Sequence, residues 1–104
     1  MDKYNVNITG TAFEDLKSIA LYIKDELKEP VVARKLIAKI KEGIFSLDVS
    51  PCRHGLVRDK VLAKQGYRLL YVENYIVFYI VIEESKRVGV LRVLYARRNW
   101  VNIL

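Results

Sequence analysis

The residues able to do chemistry in this chain are cations set among aromatic rings: Arg58, Lys60, Lys64, Arg68, Tyr71, Arg92, Tyr95, Arg97, Arg98 and Trp100. An arginine fork grips phosphate or carboxylate oxygens in pairs, and a flat ring stacks on an unpaired base. This is therefore the composition of a surface that handles single-stranded RNA. Cutting RNA through its own 2′-hydroxyl requires a base, cations around the phosphorane and a proton donor; suitably tuned lysine, arginine and tyrosine meet all three needs. Arg68 and Arg92 interrupt otherwise apolar strands. Left buried and unpaired, either would be strongly destabilising, so each must meet a carboxylate, a set of carbonyls or an external anion. A structural pair with Glu73 or Glu83 is the plain alternative for both. Tyr67, Tyr71, Tyr75 and Tyr79 recur at strand spacing and read mostly as packing.

Other chemistries have little to draw on. The single histidine, His54, and single cysteine, Cys52, cannot supply the converging ligands of a zinc site, and their spacing means nothing without a third partner. One cysteine also excludes an intrachain disulfide. No glycine-rich phosphate loop is present. The expectation is a protein with no metal, no cofactor and no small-molecule substrate.

A chain of 104 residues is long enough for one core and too short for two, so residues 1–104 are expected to form one domain. Hydrophobic residues at 52% and charged residues at 29% are the balance of a folded chain. The longest apolar run, residues 75–82, is well short of a membrane span, and the start of the chain has no leader pattern. A cytoplasmic protein with no membrane partner is the expectation. The net charge of +6 is unevenly placed: residues 1–48 carry eight Lys or Arg against eight Asp or Glu, and residues 49–104 carry ten against four. A positive field confined to one part of a small domain favours nucleic acid or an acidic protein segment as partner. Solubility alone is the other reading.

The elements that must position these residues follow from periodicity. Residues 67–72 and 75–81 are rich in β-branched and aromatic side chains and predict a hairpin, with Glu73 and Asn74 as its turn and Asn74 supplying the positive φ. The second run is apolar at every position, so it reads as a central strand covered on both faces. Upstream, residues 4–9 alternate, with Tyr4, Val6 and Ile8 inward. Thr11 and Glu14 fit a capping box, Thr9 being the other candidate cap. Ala12, Leu16, Ile19, Ala20, Ile23 and Leu27 mark the apolar face of a first helix ending near Lys28. Pro30 opens a second helix whose face is Ala33, Leu36, Ile37, Ile40, Ile44 and Leu47, and so short a connection makes the pair an antiparallel hairpin.

Residues 48–66 lack clean periodicity; Leu56, Val57, Val61 and Leu62 pin them to the core, and residues 60–63 read as a candidate short strand. Aperiodic stretches of this length in compact domains are often functional. Residues 87–96 form the last strand, and Trp100, Ile103 and Leu104 dock a closing helix or tail. The order β-α-α-β-β-β predicts an α+β fold, a two-helix antiparallel hairpin on a mainly antiparallel sheet of about four strands.

Four of these segments together resemble the RelE/ParE superfamily of bacterial toxins from type II toxin–antitoxin modules, nearer the ParE branch. They are Thr-x-x-Ala-x-x-Asp-Leu-x-x-Ile-x-x-Tyr-Ile at residues 9–23, Tyr-Arg at 67–68, Asn-Tyr-Ile-Val-x-Tyr at 74–79, and Val-Leu-Arg-Val-Leu-Tyr-Ala-Arg-Arg at 90–98. The resemblance implies the same helical hairpin on a sheet, and a growth-inhibiting toxin neutralised by a cognate antitoxin whose C-terminal segment wraps it.

Two targets are open by resemblance. The RelE branch cuts mRNA in the ribosome, and Arg68 matches the arginine such nucleases place at the scissile phosphate, with Tyr95 near a terminal histidine or tyrosine of some relatives. The ParE branch poisons DNA gyrase, and the long helical hairpin and the Tyr-Ala-Arg-Arg ending at 95–98 lean that way. The lysine pair of RelE nucleases has no clear counterpart, although Lys60 and Lys64 lie in roughly its region. Arg58, Lys60, Lys64, Arg92, Arg97, Arg98 and Trp100 are the expected target-binding residues on either branch. A small basic RNA-binding or protein-interaction domain is the third reading.

Overall fold

The computed structural model describes residues 3–98 and Ile103. In chain order the elements are β1 (Asn5–Ile8), α1 (Gly10–Leu21), a π-helical turn (Tyr22–Glu26), α2 (Pro30–Phe45), 3-10 turns at Ser46–Asp48 and Pro51–Arg53, α3 (Lys60–Lys64), β2 (Arg68–Val72), β3 (Tyr75–Ile82) and β4 (Arg87–Tyr95). The strands form one sheet in the order β1-β4-β3-β2, antiparallel except for the parallel β1–β4 pair. This is the α+β arrangement that the periodicity predicts.

Strand parity divides the molecule. Tyr75, Val77 and Tyr79 of β3 face the helices, where they pack with Ala12, Leu16, Ile40, Ile44 and Leu47; Ile76 and Phe78 face the other side. Both faces are covered, which is why β3 carries no polar residue. Each fully buried Ile or Leu in such a core contributes about 1.5–3 kcal/mol relative to an exposed one. The second face holds a smaller core of Val57, Leu62, Ile76, Phe78 and Leu94, joined by Ala63, Tyr67, Leu69, Ala96 and Ile103. Ile103 thus packs as expected of the C-terminal segment, while Trp100 and Leu104 lie outside the described residues.

Several local expectations are corrected. Thr9, not Thr11, caps α1: its Oγ1 accepts the Ala12 N–H at 3.1 Å and its hydroxyl donates to the Leu91 carbonyl at 3.2 Å. Thr9 wins because its backbone is still extended and its own N–H donates to Val90 O, so the last β1 rung and the helix cap are one residue. Residues 60–63 are helical rather than a strand, because Asp59 Oδ1 accepts the Leu62 N–H at 3.0 Å and nucleates α3. In the hairpin turn the left-handed residue is Glu73, at φ 52°, not Asn74. Lys39 Nζ holds the Glu73 carboxylate at 2.7 Å from α2. Leu27 is half exposed rather than buried with its stripe. The π-helical turn before it adds a residue to the helical repeat and shifts the phase of the apolar face.

Candidate functional site

Arg68 opens β2 opposite Tyr79, beneath the segment that crosses from α2 to α3. Its Nη1 donates to the carbonyls of His54 at 2.6 Å and Cys52 at 3.3 Å. The Tyr79 hydroxyl donates to Pro51 O at 2.6 Å, and Leu69 N–H and Val57 N–H join Gly55 O and Tyr67 O. Arg53 closes the same segment from within, donating to the carbonyls of Val49, Ser50 and Ser46. Two arginines and a tyrosine therefore satisfy backbone oxygens that a loop folded onto a sheet end would otherwise leave bare. Burial pushes the Tyr79 hydroxyl up to about 12, so it stays a proton donor to Pro51 O throughout the ordinary pH range. His54 packs edge-on against the Tyr79 ring, and its buried Nε2 has no hydrogen-bond partner among the described residues.

Arg92 is also paired, though with neither Glu73 nor Glu83. Its Nε and Nη2 donate to the two carboxylate oxygens of Asp15 at 2.8 and 2.9 Å, and Asp15 Oδ2 also accepts the Val93 N–H at 2.9 Å. The reason is topological. β1 pairs with β4 only as far as Val90, so the rest of β4 is an open edge, and α1 runs along it. Asp15 takes the place of a missing strand, and the fork geometry of Arg92 completes its carboxylate. The bond to Asp15 raises the Arg92 guanidinium above its ordinary value.

Tyr95 lies far from Arg68. Arg68 stands opposite Tyr79, whereas Tyr95 stands opposite Tyr75, which pairs with Val72 at the other end of β2. Four residues along the strands and two strands across place their Cα atoms roughly 16 Å apart. Tyr95 instead belongs to a groove of about 970 Å³ between the helical hairpin and the end of β3 and β4. Its walls are Ile19, Tyr22, Ile23, Leu27, Val32 and Leu36 on the helical side and Tyr75, Val93 and Tyr95 on the sheet, with Lys35, Lys39 and Arg98 among its polar residues. The Tyr75 and Tyr95 rings meet edge to face at 5.6 Å. Burial, then the neighbouring Tyr95 and Tyr22, raises the Tyr75 hydroxyl. Tyr22, Leu27, Val32 and Tyr95 are about half exposed, an apolar surface left without cover.

The remaining expected residues divide. Arg58, Lys60 and Lys64 are exposed at α3 on the other side of the sheet, and Arg97 and Arg98 are exposed just beyond β4. Trp100 lies outside the described residues. The expected residues thus do not form one cluster: Arg68, the Arg92–Asp15 pair, the Tyr95 groove and the α3 cations occupy separate places. Asp15, Tyr22, Tyr75, Lys35 and the Lys39–Glu73 pair escaped the sequence reading. The available signal was a surplus of apolar residues on the helical hairpin, since Leu21, Tyr22, Leu27, Val31 and Val32 exceed what one buried stripe holds. Among the described residues no His, Cys, Asp or Glu group could hold a metal ion, and no helix is long and apolar enough to cross a membrane.

The chain is thus a hairpin of helices laid on a four-stranded sheet, with an uncovered apolar groove between them. The model of the ParE toxin of the type II toxin–antitoxin system parDE matches residues 6–100, and the chain belongs to that family. The fold is similar to that in the chromosomal ParDE system of P. aeruginosa, with a TM-score of 0.75 at 22% identity over 91% of this chain and 98% of that one. It is also similar to the RelBE2 toxin–antitoxin complex of Mycobacterium tuberculosis, at 0.67 and 23% over 89% and 98%. A mutant of the E. coli toxin RelE in the free state gives 0.68 and 15% over 97% and 92%. Comparison with curated proteins finds no match.

Proposed function

We propose that this type II toxin arrests growth by acting on DNA gyrase, and that its antitoxin neutralises it by laying an apolar segment into the groove between the helical hairpin and β4. One observation carries the choice of target. The groups that metal-free RNA cleavage would need do not converge: Arg68 is engaged by carbonyls, Arg92 by Asp15, and Tyr95 lies at the far end of the sheet. General acid–base work needs its partners within hydrogen-bond reach of one phosphate, and roughly 16 Å is far outside it. The groove supports the antitoxin reading by its size, its half-exposed tyrosines and aliphatics and its cationic rim, which together suit an amphipathic helix with acidic flanks.

Induced expression tests the target. The expected result is gyrase-dependent DNA breaks and a DNA-damage response that co-expressed antitoxin abolishes. Prompt translational arrest with intact DNA, together with mRNA cleavage on purified ribosomes that Arg68→Ala removes from a folded variant, would overturn it in favour of a ribosome-dependent endoribonuclease. Absence of any growth defect would leave a small basic interaction domain.

A further inference from the structure

The side of the sheet turned away from the groove carries a second exposed surface, built around α3. Asp59 is the one acid between Arg53 and Arg68, and its carboxylate is engaged in capping the helix through Leu62 N–H. Arg58, Lys60 and Lys64 are exposed, and none has an ion pair among the described residues. Between the lysines Val61 is 67% exposed, the most open of the large apolar side chains among the described residues. Tyr71, 61% exposed, stands opposite Ile76, whose side chain lies in the small core beneath α3. Ala96, the residue before the exposed Arg97, packs on the same core. Residues from α3, β2 and the end of β4 are thus gathered on one face by a core of their own.

Resting on the toxin reading above, we propose that this α3 face is the surface through which the toxin engages its target, and that it takes an acidic protein surface. The chemistry favours protein over nucleic acid. Lysines around an exposed aliphatic side chain offer a charged rim and an apolar centre, the arrangement of a protein interface. A phosphate backbone has nothing to gain from Val61, and Arg68 and Arg92 are engaged elsewhere, which leaves lysines beside Val61 with Arg58 as the arginine next to them. Because α3 and the groove lie on opposite faces of the sheet, the two surfaces are independent. Neutralisation by a groove-bound segment then comes from something other than contact with α3, such as the bulk of the bound antitoxin blocking the approach of a large target.

The test uses the full-length toxin with Lys60→Glu/Lys64→Glu together, and separately Val61→Ser, each checked for an unchanged thermal midpoint. Three quantities are measured: the midpoint for inhibition of supercoiling by purified gyrase, binding to gyrase without DNA, and the antitoxin Kd. The double charge reversal is expected to raise the inhibition midpoint and the gyrase Kd at least tenfold and Val61→Ser at least threefold, with the antitoxin Kd changed less than twofold. Full inhibition by the reversed variant would overturn the proposal, as would a parallel loss of antitoxin binding. Binding that requires DNA, with DNA alone contacting α3, would overturn it in favour of nucleic acid. If the wild-type toxin leaves gyrase untouched, it is the target reading that fails. The surface is then judged by growth arrest at matched expression: arrest lost in the reversed variant supports it, and unchanged arrest overturns it.

Discussion

Replacing Asp15 by alanine should be among the most destabilising changes available outside the hydrophobic core. The carboxylate accepts two charged hydrogen bonds from Arg92 and one from the Val93 N–H, and the two side chains are only 14% and 23% exposed. Removing one partner of a fully buried pair costs about 3–5 kcal/mol, most of it from the charge left behind. The residual water access here reduces that to about 2–4 kcal/mol, with the unpaired Val93 N–H included. At 4–8 °C per kcal/mol for a domain of about this size, the thermal midpoint should fall by about 15 °C. Urea unfolding of Asp15→Ala, Arg92→Leu and the double variant closes the cycle. The double variant should lose at least about 1 kcal/mol less than the two single costs combined, because it leaves no stranded guanidinium. A loss below about 0.5 kcal/mol for Asp15→Ala, or strictly additive costs, would refute the view that Arg92 is held by Asp15 as a structural unit. Toxicity lost in Arg92→Leu with stability intact would refute it from the other side.

His54 should make stability depend on pH in mildly acidic solution. Burial, then the nearby Arg53 charge, lowers its pKa, so the unfolded chain binds the proton more readily than the folded one. Its stability contribution is therefore complete above the unfolded value of about 6.5 and is lost as pH falls through the window below it; His54→Gln should flatten urea-derived stability there. Glu73→Gly should raise the urea midpoint slightly, because glycine relieves the left-handed φ of 52° while the Lys39 pair it sacrifices is open to solvent; a lower midpoint would mean that the pair outweighs the strain. In the groove, Tyr22→Ala and Val32→Ser should leave the thermal midpoint within a few degrees, since both side chains are about half exposed, yet weaken antitoxin binding at least tenfold in calorimetry. Unchanged affinity would place the antitoxin elsewhere.

What the sequence disclosed was local or periodic. The unbroken apolar run of β3 told of a strand covered on both sides, and the stripes of the two helices named Ala12, Leu16, Ala33, Ile40 and Ile44 as core. Pro30 marked the start of α2 to the residue. What remained hidden depends on partners distant in sequence or on side chains satisfying backbone. Nothing near Arg92 announced that its carboxylate would come from α1, because that follows from β1 pairing with β4 only as far as Val90 and leaving the rest of β4 uncovered. Competition between two local signals decided other cases: Thr11 and Glu14 satisfy a capping pattern, but Thr9 was already fixed by the ladder to β4. The groove was concealed for a related reason, since Tyr75 shares the spacing of packed strand residues and Tyr22 lies in the π-turn that shifts the apolar face of the first helix.

The same distinction governs the charge. Ten cations against four acids in residues 49–104 suggested a broad basic face, yet charge counts do not record which cations are already engaged. Arg53 and Arg68 hold backbone carbonyls, Arg92 holds Asp15, and Lys86 lies against Glu83 and over the Tyr4 ring. The acids are consumed in parallel: Asp59 caps α3, Glu73 pairs with Lys39, and Glu83 accepts from the Tyr4 hydroxyl. Each capped or paired acid keeps its charge but is fixed to one partner, and the cations of residues 49–104 with no side-chain hydrogen bond or ion pair among the described residues are Arg58, Lys60, Lys64, Arg87, Arg97 and Arg98. The arginines that look most catalytic in the sequence, those set within apolar strands, are the ones the fold engages, Arg68 through carbonyls and Arg92 through Asp15. Lys60 and Lys64, on the short helix α3, carry no such structural obligation and stay exposed, which is what the proposed interface there requires.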